Sequence, residues 1–535
     1  MNNSHQGNFI FRFLKSIQYG GRWLFQLAEA GANSVFGAKN NPMYYLGGLA
    51  FFFFYVLFFS GVYVYIFYDT EVSGAYASIE YMTHEQWYLA GVMRSLHRYA
   101  SDAMVVAMVL HMMRRFFNDR YNGGRSFSWI TGMPMIWMVL ITGLLGYWLV
   151  WDEMAQFIAV RTFEWIDWLP IIAEPTARNF LSNEHMTDTL FRLLVVTHLG
   201  LPLIMLAGML IHINRLHHPK VNPPRPLMIG MFMALLVLSL VKPALSHAPA
   251  DLGVAPSVIN FDWFYMGIYA LMGSFSMGTV WAIVVGATVF AMLLPWLPPK
   301  KRDPAAVVDL STCSGCNLCV LDCPYEAIRL EPRSDGNTRY TQEARVIADK
   351  CVSCGICTGS CPYSVPFRHT DKLVSAIEMP HFGIQKLRND VDEAMQQPGE
   401  QKIFVFGCSH GVGKHVTGLD KPDVVGVNVE CSGMLPPTFV DYALRQGAAG
   451  VVVTGCRDGD CYHRLGNQFT GERLNRERKP ELSHKVAPER VRFVMGAEAD
   501  KAKLDEEIEA FHSALAKLDD GDDVRHEKEK GGTAA

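Results

Sequence analysis

Apolar runs dominate residues 44–300 and give way to ordinary soluble patterning over 301–535. A helix needs about 20 apolar residues to cross a bilayer. Residues 44–68 meet that length without a charge, and 129–151, 193–214 and 278–298 also qualify, with 227–241 a shorter fifth run. Residues 89–113 are mostly apolar but hold Arg94, Arg98, Asp102 and two histidines. Charge inside a span is costly and marks function. The pattern predicts six transmembrane helices. Lys and Arg then set the orientation. One set of segments carries Arg12, Lys15, Arg22, Lys39, Arg114, Arg115, Arg120, Arg125, Arg215, Lys220, Arg225, Lys300, Lys301 and Arg302, while the alternate loops carry only Arg161, Arg178, Arg192 and Lys242. Both termini and residues 301–535 are therefore expected on the cytoplasmic side. Residues 1–42 show no cleavable signal pattern.

Beyond 400 the period changes. Residues 402–407, 424–429 and 450–454 read as buried strands, with a helix over 437–446. A charged amphipathic helix follows from 499, ending in a solvated, disordered stretch over 521–535. The expected segments are a membrane domain over 1–300, cysteine-bearing domains over 301–375 and 400–500, and a tail over 501–535.

Composition narrows the class. Half of the 535 residues are hydrophobic, 19% are charged and the net charge is −4. A wholly soluble protein is excluded by the apolar runs, and a nucleic-acid partner is not expected without a basic block. All 12 cysteines fall between Cys313 and Cys461. Such clustering reads as reduced, metal-binding thiols rather than a disulfide framework.

His97 and His111 are fourteen residues apart in the second span, and His198 and His212 repeat that interval in the fourth. Fourteen residues make nearly four helical turns, about 21 Å along one face. The two helices run in the same direction, so His97 is expected opposite His198 and His111 opposite His212. Two levels of paired imidazoles suit two bis-histidine haems in a four-helix bundle core. Gly47 and Gly61, and Gly132 and Gly146, repeat the interval in the first and third spans, where the missing side chain would clear a bulky ring. Arg94, Arg98 and Arg114 lie within a turn of the histidines and could pair haem propionates.

This pattern resembles cytochrome b of the quinol-oxidising cytochrome bc complexes, over roughly residues 20–300. Thr197 to Pro202 (THLGLP) is similar to the family's fourth-helix segment. Phe261-Asp262-Trp263-Phe264 stands where the family carries Pro-Glu-Trp-Tyr, and Val150 replaces the proline of a Leu-Pro-Trp segment. The resemblance implies that Asp262 accepts a proton from quinol at the outer site and that His217 lines the inner quinone site. It also implies a homodimer within a larger complex of a bacterial or archaeal cytoplasmic membrane. The chain has no Rieske or Cys-x2-Cys-His motif, so Rieske and cytochrome c subunits would be separate proteins.

Residues 313–324 read Cys-x2-Cys-x2-Cys-x3-Cys-Pro, and 351–362 repeat that spacing. This is the two-cluster ferredoxin pattern, in which each fourth cysteine serves the other cluster. One [4Fe–4S] cluster would take Cys313, Cys316, Cys319 and Cys361, and the second Cys351, Cys354, Cys357 and Cys323. Four thiols remain at strand ends, Cys408, Cys431, Cys456 and Cys461, a set that suits a [2Fe–2S] cluster or zinc. The sequences around Cys431 and from Gly455 to Cys461 resemble the delta subunit of methyl-viologen-reducing hydrogenases. That resemblance implies one [2Fe–2S] cluster and exchange with a cytoplasmic flavoprotein of heterodisulfide-reductase type. The family's additional cysteine is Val405 here. The expected function is a membrane oxidoreductase subunit joining the quinone pool, through two b haems, to cytoplasmic iron–sulfur clusters. The alternative is a membrane anchor and relay for a hydrogenase or heterodisulfide-reductase-like complex, without a quinone site of its own.

Overall fold

The computed structural model describes residues 9–171, 179, 181, 186–214, 221–256, 259–297, 303–368, 373–399, 401–418, 421, 423–498 and 500–531. The chain forms two compact units, Met1–Lys300 and Lys301–Ala535.

The described part of the first unit is mostly helical. Its helices are α1 (Phe9–Asn40), α2 (Leu46–Phe67), α3 (Val72–His84), α4 (Val92–Phe117), α5 (Ser126–Trp148), α6 (Glu153–Asp167), α7 (Asp188–Asn214), α8 (Arg225–Val241), α9 (Gly267–Ser274) and α10 (Met277–Leu293). Among the described residues, four segments are long and apolar enough to cross a membrane: Leu46–Phe67, Ser126–Trp148, Asp188–Ile213 and Met277–Trp296. The other two expected spans fall short for different reasons. The 26 residues of α4 reach about 39 Å, but the helix carries Arg94, Arg98, Asp102, Arg114 and Arg115. The 17 residues of α8 reach only about 26 Å, a little under a hydrocarbon core of about 30 Å. The inner faces of α2, α4, α5 and α7 share one core, including Phe51, Phe54, Leu96, Ala100, Met104, Met135, Val139, Met205 and Met209.

Helix α1 was not anticipated from the hydrophobic pattern. Its polar side chains bind the last turn of α4. Gln18 donates to the Phe116 carbonyl at 3.1 Å and Arg22 to the Phe117 carbonyl at 3.2 Å. The last carbonyls of a helix lack i+4 donors, so α1 acts as a lateral cap, adding to the Asp119 N–H that the Phe116 carbonyl already receives at 3.1 Å.

The second unit begins with two short antiparallel pairs, β1 (Val307–Val308) with β4 (Ile377–Glu378), and β2 (Ile328–Pro332) with β3 (Gln342–Val346). Two short helices, α11 (Leu318–Leu321) and α12 (Ile356–Ser360), lie within the two cysteine motifs. After α13 (Ile384–Met395) comes a parallel sheet in the order β6 (Val424–Val429), β5 (Ile403–Cys408), β7 (Gly450–Gly455), β8 (Val491–Met495). All residues of β5 and β7 are buried, as a parallel sheet covered on both faces requires. Phe404 and Phe406 point into one core with α13 and α14 (Thr438–Arg445), while Ile403 and Val405 point into the other. α15 (Gly466–Leu474) lies between β7 and β8.

The amphipathic helix expected from 499 packs onto the sheet. Helix α16 (Lys501–Gly531) places Leu504, Ile508, Phe511 and Leu515, each no more than 2% exposed, against the second face of the sheet. The stripe recurs at helical spacing. The helix also runs into the stretch expected to be disordered; Gly521 costs a helix interior only about 1 kcal/mol.

Phe511→Ala is therefore expected to destabilise the second unit by about 3–5 kcal/mol. Pulse proteolysis of the detergent-solubilised protein in a urea series would measure this, and a loss below about 1 kcal/mol would show that α16 is a dispensable appendage.

Candidate functional site

Helix α2 packs on α4, and α5 on α7, and at each contact a histidine ring lies over a glycine. A methyl group built at Gly61 would stand 2.8 Å from His97 Cε1, and one at Gly47 2.9 Å from His111 Cε1. At Gly146 the corresponding distance to His198 is 3.1 Å, and at Gly132 to His212 it is 3.7 Å. His97 and His198 face each other with ring centroids 6.4 Å apart. The Nδ1 atoms of His97, His198 and His212 each have an acceptor. His97 donates to the Leu57 carbonyl at 3.0 Å and His198 to the Thr142 carbonyl at 3.0 Å. His212 lies 3.0 Å from Thr131 Oγ1, whose own proton goes to the Phe127 carbonyl. A ring that donates through Nδ1 turns its Nε2 lone pair toward the partner ring. Two metal–imidazole bonds of about 2 Å each fit between centroids at this separation, so the His97–His198 level suits a bis-histidine metal group.

Asp262 lies beside this level in a polar group that spans three segments. Its Oδ2 accepts from Arg98 Nη2 at 2.5 Å and from the Tyr147 hydroxyl, and its Oδ1 accepts from the Phe264 N–H at 2.8 Å. The carboxylate is 8% exposed. Arg98 also pairs with Asp102 one turn along α4 and lies over the Tyr147 ring. Ser101 and Tyr265 share a hydroxyl contact of 2.5 Å next to this group. Tyr147 and Tyr265 were missed in the sequence, since a tyrosine near a helix end has no spacing signal. The other two arginines have local partners. Arg114 binds Glu29 at 2.7 Å, with both side chains 6% exposed, and Arg94 donates to Thr83 and, at 2.7 Å, to Ser246. His217 lies outside the described residues.

In the second unit the cysteines gather in three sets. Cys313, Cys316, Cys319 and Cys361 line one hollow with Ala344, Tyr363 and Ile377. Cys323, Cys351, Cys354 and Cys357 line another with Ile328, Val346 and Met379. The fourth cysteine of each motif thus stands with the other motif's first three. Burial, reinforced by Cys316, Cys361 and Cys313, pushes the Cys319 thiol up to about 12. Burial likewise raises Cys354 and Cys357 well above the ordinary thiol range. Thiolates that burial and one another disfavour are stabilised by cations bound among them, so these sets fit iron–sulfur clusters. The third set stands at the carboxyl ends of β5, β6 and β7, where open parallel sheets bind ligands. There Cys408 and Cys456 have sulfurs 3.9 Å apart. The hydrogen bond with Cys431, then burial, push Cys461 up to about 12 against an opposing bond with Cys456. His410 and Tyr462 stack 3.8 Å apart beside this set. Among the described residues no three His, Cys, Asp or Glu side chains close around a single-ion point.

Comparison with known proteins divides the chain in the same way. The family model for cytochrome b/b6/petB matches residues 34–220, the 4Fe-4S dicluster domain matches 312–365, and the methyl-viologen-reducing hydrogenase delta subunit matches 420–519. The last match begins past Cys408 and runs into α16, beyond the expected limit of 500. The cytochrome b subunit of a menaquinol:cytochrome c reductase from Geobacillus thermodenitrificans is 26% identical over 185 residues, covering 34% of this chain and 82% of that protein. Cytochrome b/c1 of Bradyrhizobium diazoefficiens is 22% identical, covering 39% of this chain and 35% of its own length. Cytochrome b of Rhodospirillum rubrum is 21% identical, covering 39% and 59%. The chain thus spans between about a third and three fifths of the latter two relatives. A chain titled "Hyperthermophilic respiratory Complex III" has a TM-score of 0.39 at 21% identity, covering 48% of this chain and 75% of that one. One polypeptide therefore carries, in order, segments that match the family models of cytochrome b, the 4Fe-4S dicluster domain and the hydrogenase delta subunit.

Proposed function

We propose that this chain is the membrane electron-transfer subunit of a cytochrome bc-like complex, joining quinol or quinone chemistry to a soluble redox partner. The observation that carries this reading is the facing pair His97 and His198, 6.4 Å apart with both Nδ1 atoms anchored. His111 and His212 would hold a second b haem one level away. The eight ferredoxin-type cysteines would hold two [4Fe–4S] clusters, and Cys408, Cys431, Cys456 and Cys461 a [2Fe–2S] cluster. When bound, these groups supply one-electron carriers, and every proton is left to the protein. Six crossings, by α2, α4, α5, α7, α8 and α10, would place both termini in the cytoplasm. The segment over 400–500 would then receive a flavoprotein or heterodisulfide-reductase-like partner, while Rieske and cytochrome c proteins would be further subunits.

Asp262 is the acceptor at the outer site on this reading. A quinol hydroxyl gives its proton to Oδ2, displacing the Tyr147 hydroxyl. Arg98 is not stranded by that step, because Asp102 stays beside it as counter-charge. His217 would serve the inner quinone site. One observation favours the second reading, a relay without a quinone site: Asp262 is fully engaged by Arg98, Tyr147 and the Phe264 N–H. Quinol-driven reduction of the haems in the purified complex separates the two.

Gly61→Val should drive a side chain into His97 and remove the outer haem, halving haem content while the His111 level persists. A pyridine haemochrome assay showing two haems per chain in this variant would refute the assignment. Asp262→Asn should slow quinol-driven haem reduction at least tenfold and flatten its pH dependence with haem content unchanged; kinetics equal to the parent across pH would support the relay instead. Iron analysis should find about ten irons beyond haem, and Cys456→Ser should abolish only the binuclear paramagnetic signal. One equivalent of zinc without that signal would make the third thiol set structural.

A further inference from the structure

The two ferredoxin-type hollows are not equivalent. Cys354 packs in one buried cluster with Ile356, Leu465, Phe469 and Cys431, and Cys431 belongs to the thiol set at the ends of the parallel sheet. Among the described residues both hollows are lined only by residues between 306 and 379, so the bridge through Cys354 is what sets them apart.

The bridge is a seam where two backbones touch without intervening side chains. A methyl group built at Gly359 would collide with the Gly433 carbonyl and stand 2.7 Å from Arg473 Nη1, and one at Gly433 would stand 2.8 Å from Gly466 Cα and 3.0 Å from Ile356 Cγ1. Arg473, 1% exposed, fastens the seam. Its Nη1 donates to the Gly433 carbonyl at 2.8 Å, and its Nη2 to Asp322 Oδ2 at 2.5 Å and Ser360 Oγ at 2.7 Å. Arg478 binds the other oxygen of Asp322 at 2.7 Å. Asp322 adjoins Cys323, Ser360 adjoins Cys361, and Gly433 lies two residues after Cys431. One planar guanidinium thus touches the backbone neighbours of thiols from all three sets, a geometry that the single ammonium of lysine cannot reproduce.

We infer that the group held by Cys323, Cys351, Cys354 and Cys357 exchanges electrons directly with the group held by Cys408, Cys431, Cys456 and Cys461, and that Arg473 is the positioning residue of this junction. The inference rests on the reading that both thiol sets hold iron–sulfur clusters. Clusters held there would exchange one electron, the donor oxidised and the acceptor reduced by one unit, with no bond formed or broken and no proton moved. The group held by Cys313, Cys316, Cys319 and Cys361 then stands one step further from the sheet.

The test is paramagnetic resonance of the full chain during stepwise reduction, with iron and sulfide assayed in every sample. Magnetic interaction between clusters falls with the cube of their separation, so the binuclear signal should broaden as the adjacent cubane is reduced. Cys316→Ser should alter the other cubane's signal and leave that broadening intact, whereas Cys351→Ser should abolish it. Arg473→Lys should retain iron and sulfide but lose the broadening, which a residue needed only for stability would not change at full cluster content. If the lysine variant loses iron, the charge-neutral pair Asp322→Asn with Arg473→Gln gives the same reading. Broadening that survives Cys351→Ser and disappears in Cys316→Ser would overturn the junction, and undiminished broadening in the Arg473 variants would overturn its positioning role. A parent protein with no binuclear signal would take down the underlying cluster reading, a failure visible before any variant is made.

Discussion

A backbone carbonyl that accepts two hydrogen bonds holds the membrane unit's chemistry in place. In a helix the carbonyl of residue i already receives the N–H of residue i+4. Leu57 lies four before Gly61 and Thr142 four before Gly146, and these are the carbonyls that bind His97 and His198. The second lone pair of each carbonyl is available, but a ring can reach it only where the following turn has no side chain. Glycine is therefore part of the histidine's binding site, and the two cannot move independently along the chain. At the His97–His198 level that constraint fixes the alignment of α2 with α4 and of α5 with α7 and the tautomers of both rings, and the other level repeats the glycine beneath each ring, Gly47 under His111 and Gly132 under His212.

Features fixed by spacing along one rigid element were legible in the sequence. The histidine and glycine intervals, both cysteine motifs and the strands over 403–408, 424–429 and 450–455 are of that kind. Features made by pairing distant polar groups were not. Arg98 finds Asp262 across 164 positions and Arg114 finds Glu29 across 85, and neither pairing leaves a periodic trace. Nearness to His111 is the only feature of Arg114 that the sequence displays, and the Glu29 pairing adds to it. The strand Val491–Met495 was missed because its alternating exposure resembles that of a surface segment.

Charge is concentrated on α4, the helix that also supplies two histidines. Arg98 lies between Asp102 and Asp262, so the group carries one more negative than positive charge when fully ionised. In a protein interior each such contact at about 4 Å is worth on the order of 4 kcal/mol. Tyr147 and the Phe264 N–H add neutral donors to the carboxylate in excess. The arrangement keeps a carboxyl group deep in an apolar unit without leaving it isolated, which an uncompensated acid there could not be.

The bond between Asp322 and Arg473 can form only late in synthesis. The two residues are 151 positions apart, and a ribosome adds about 5–20 residues per second. Both ferredoxin-type cysteine motifs are complete at Pro362, so for roughly 6–22 s they exist before the guanidinium of Arg473 has been made. During that interval the loop bearing Cys351, Cys354 and Cys357 has no parallel sheet against it, and its hollow is open to whatever delivers iron and sulfide. Once α15 forms, the same loop is sealed from that side.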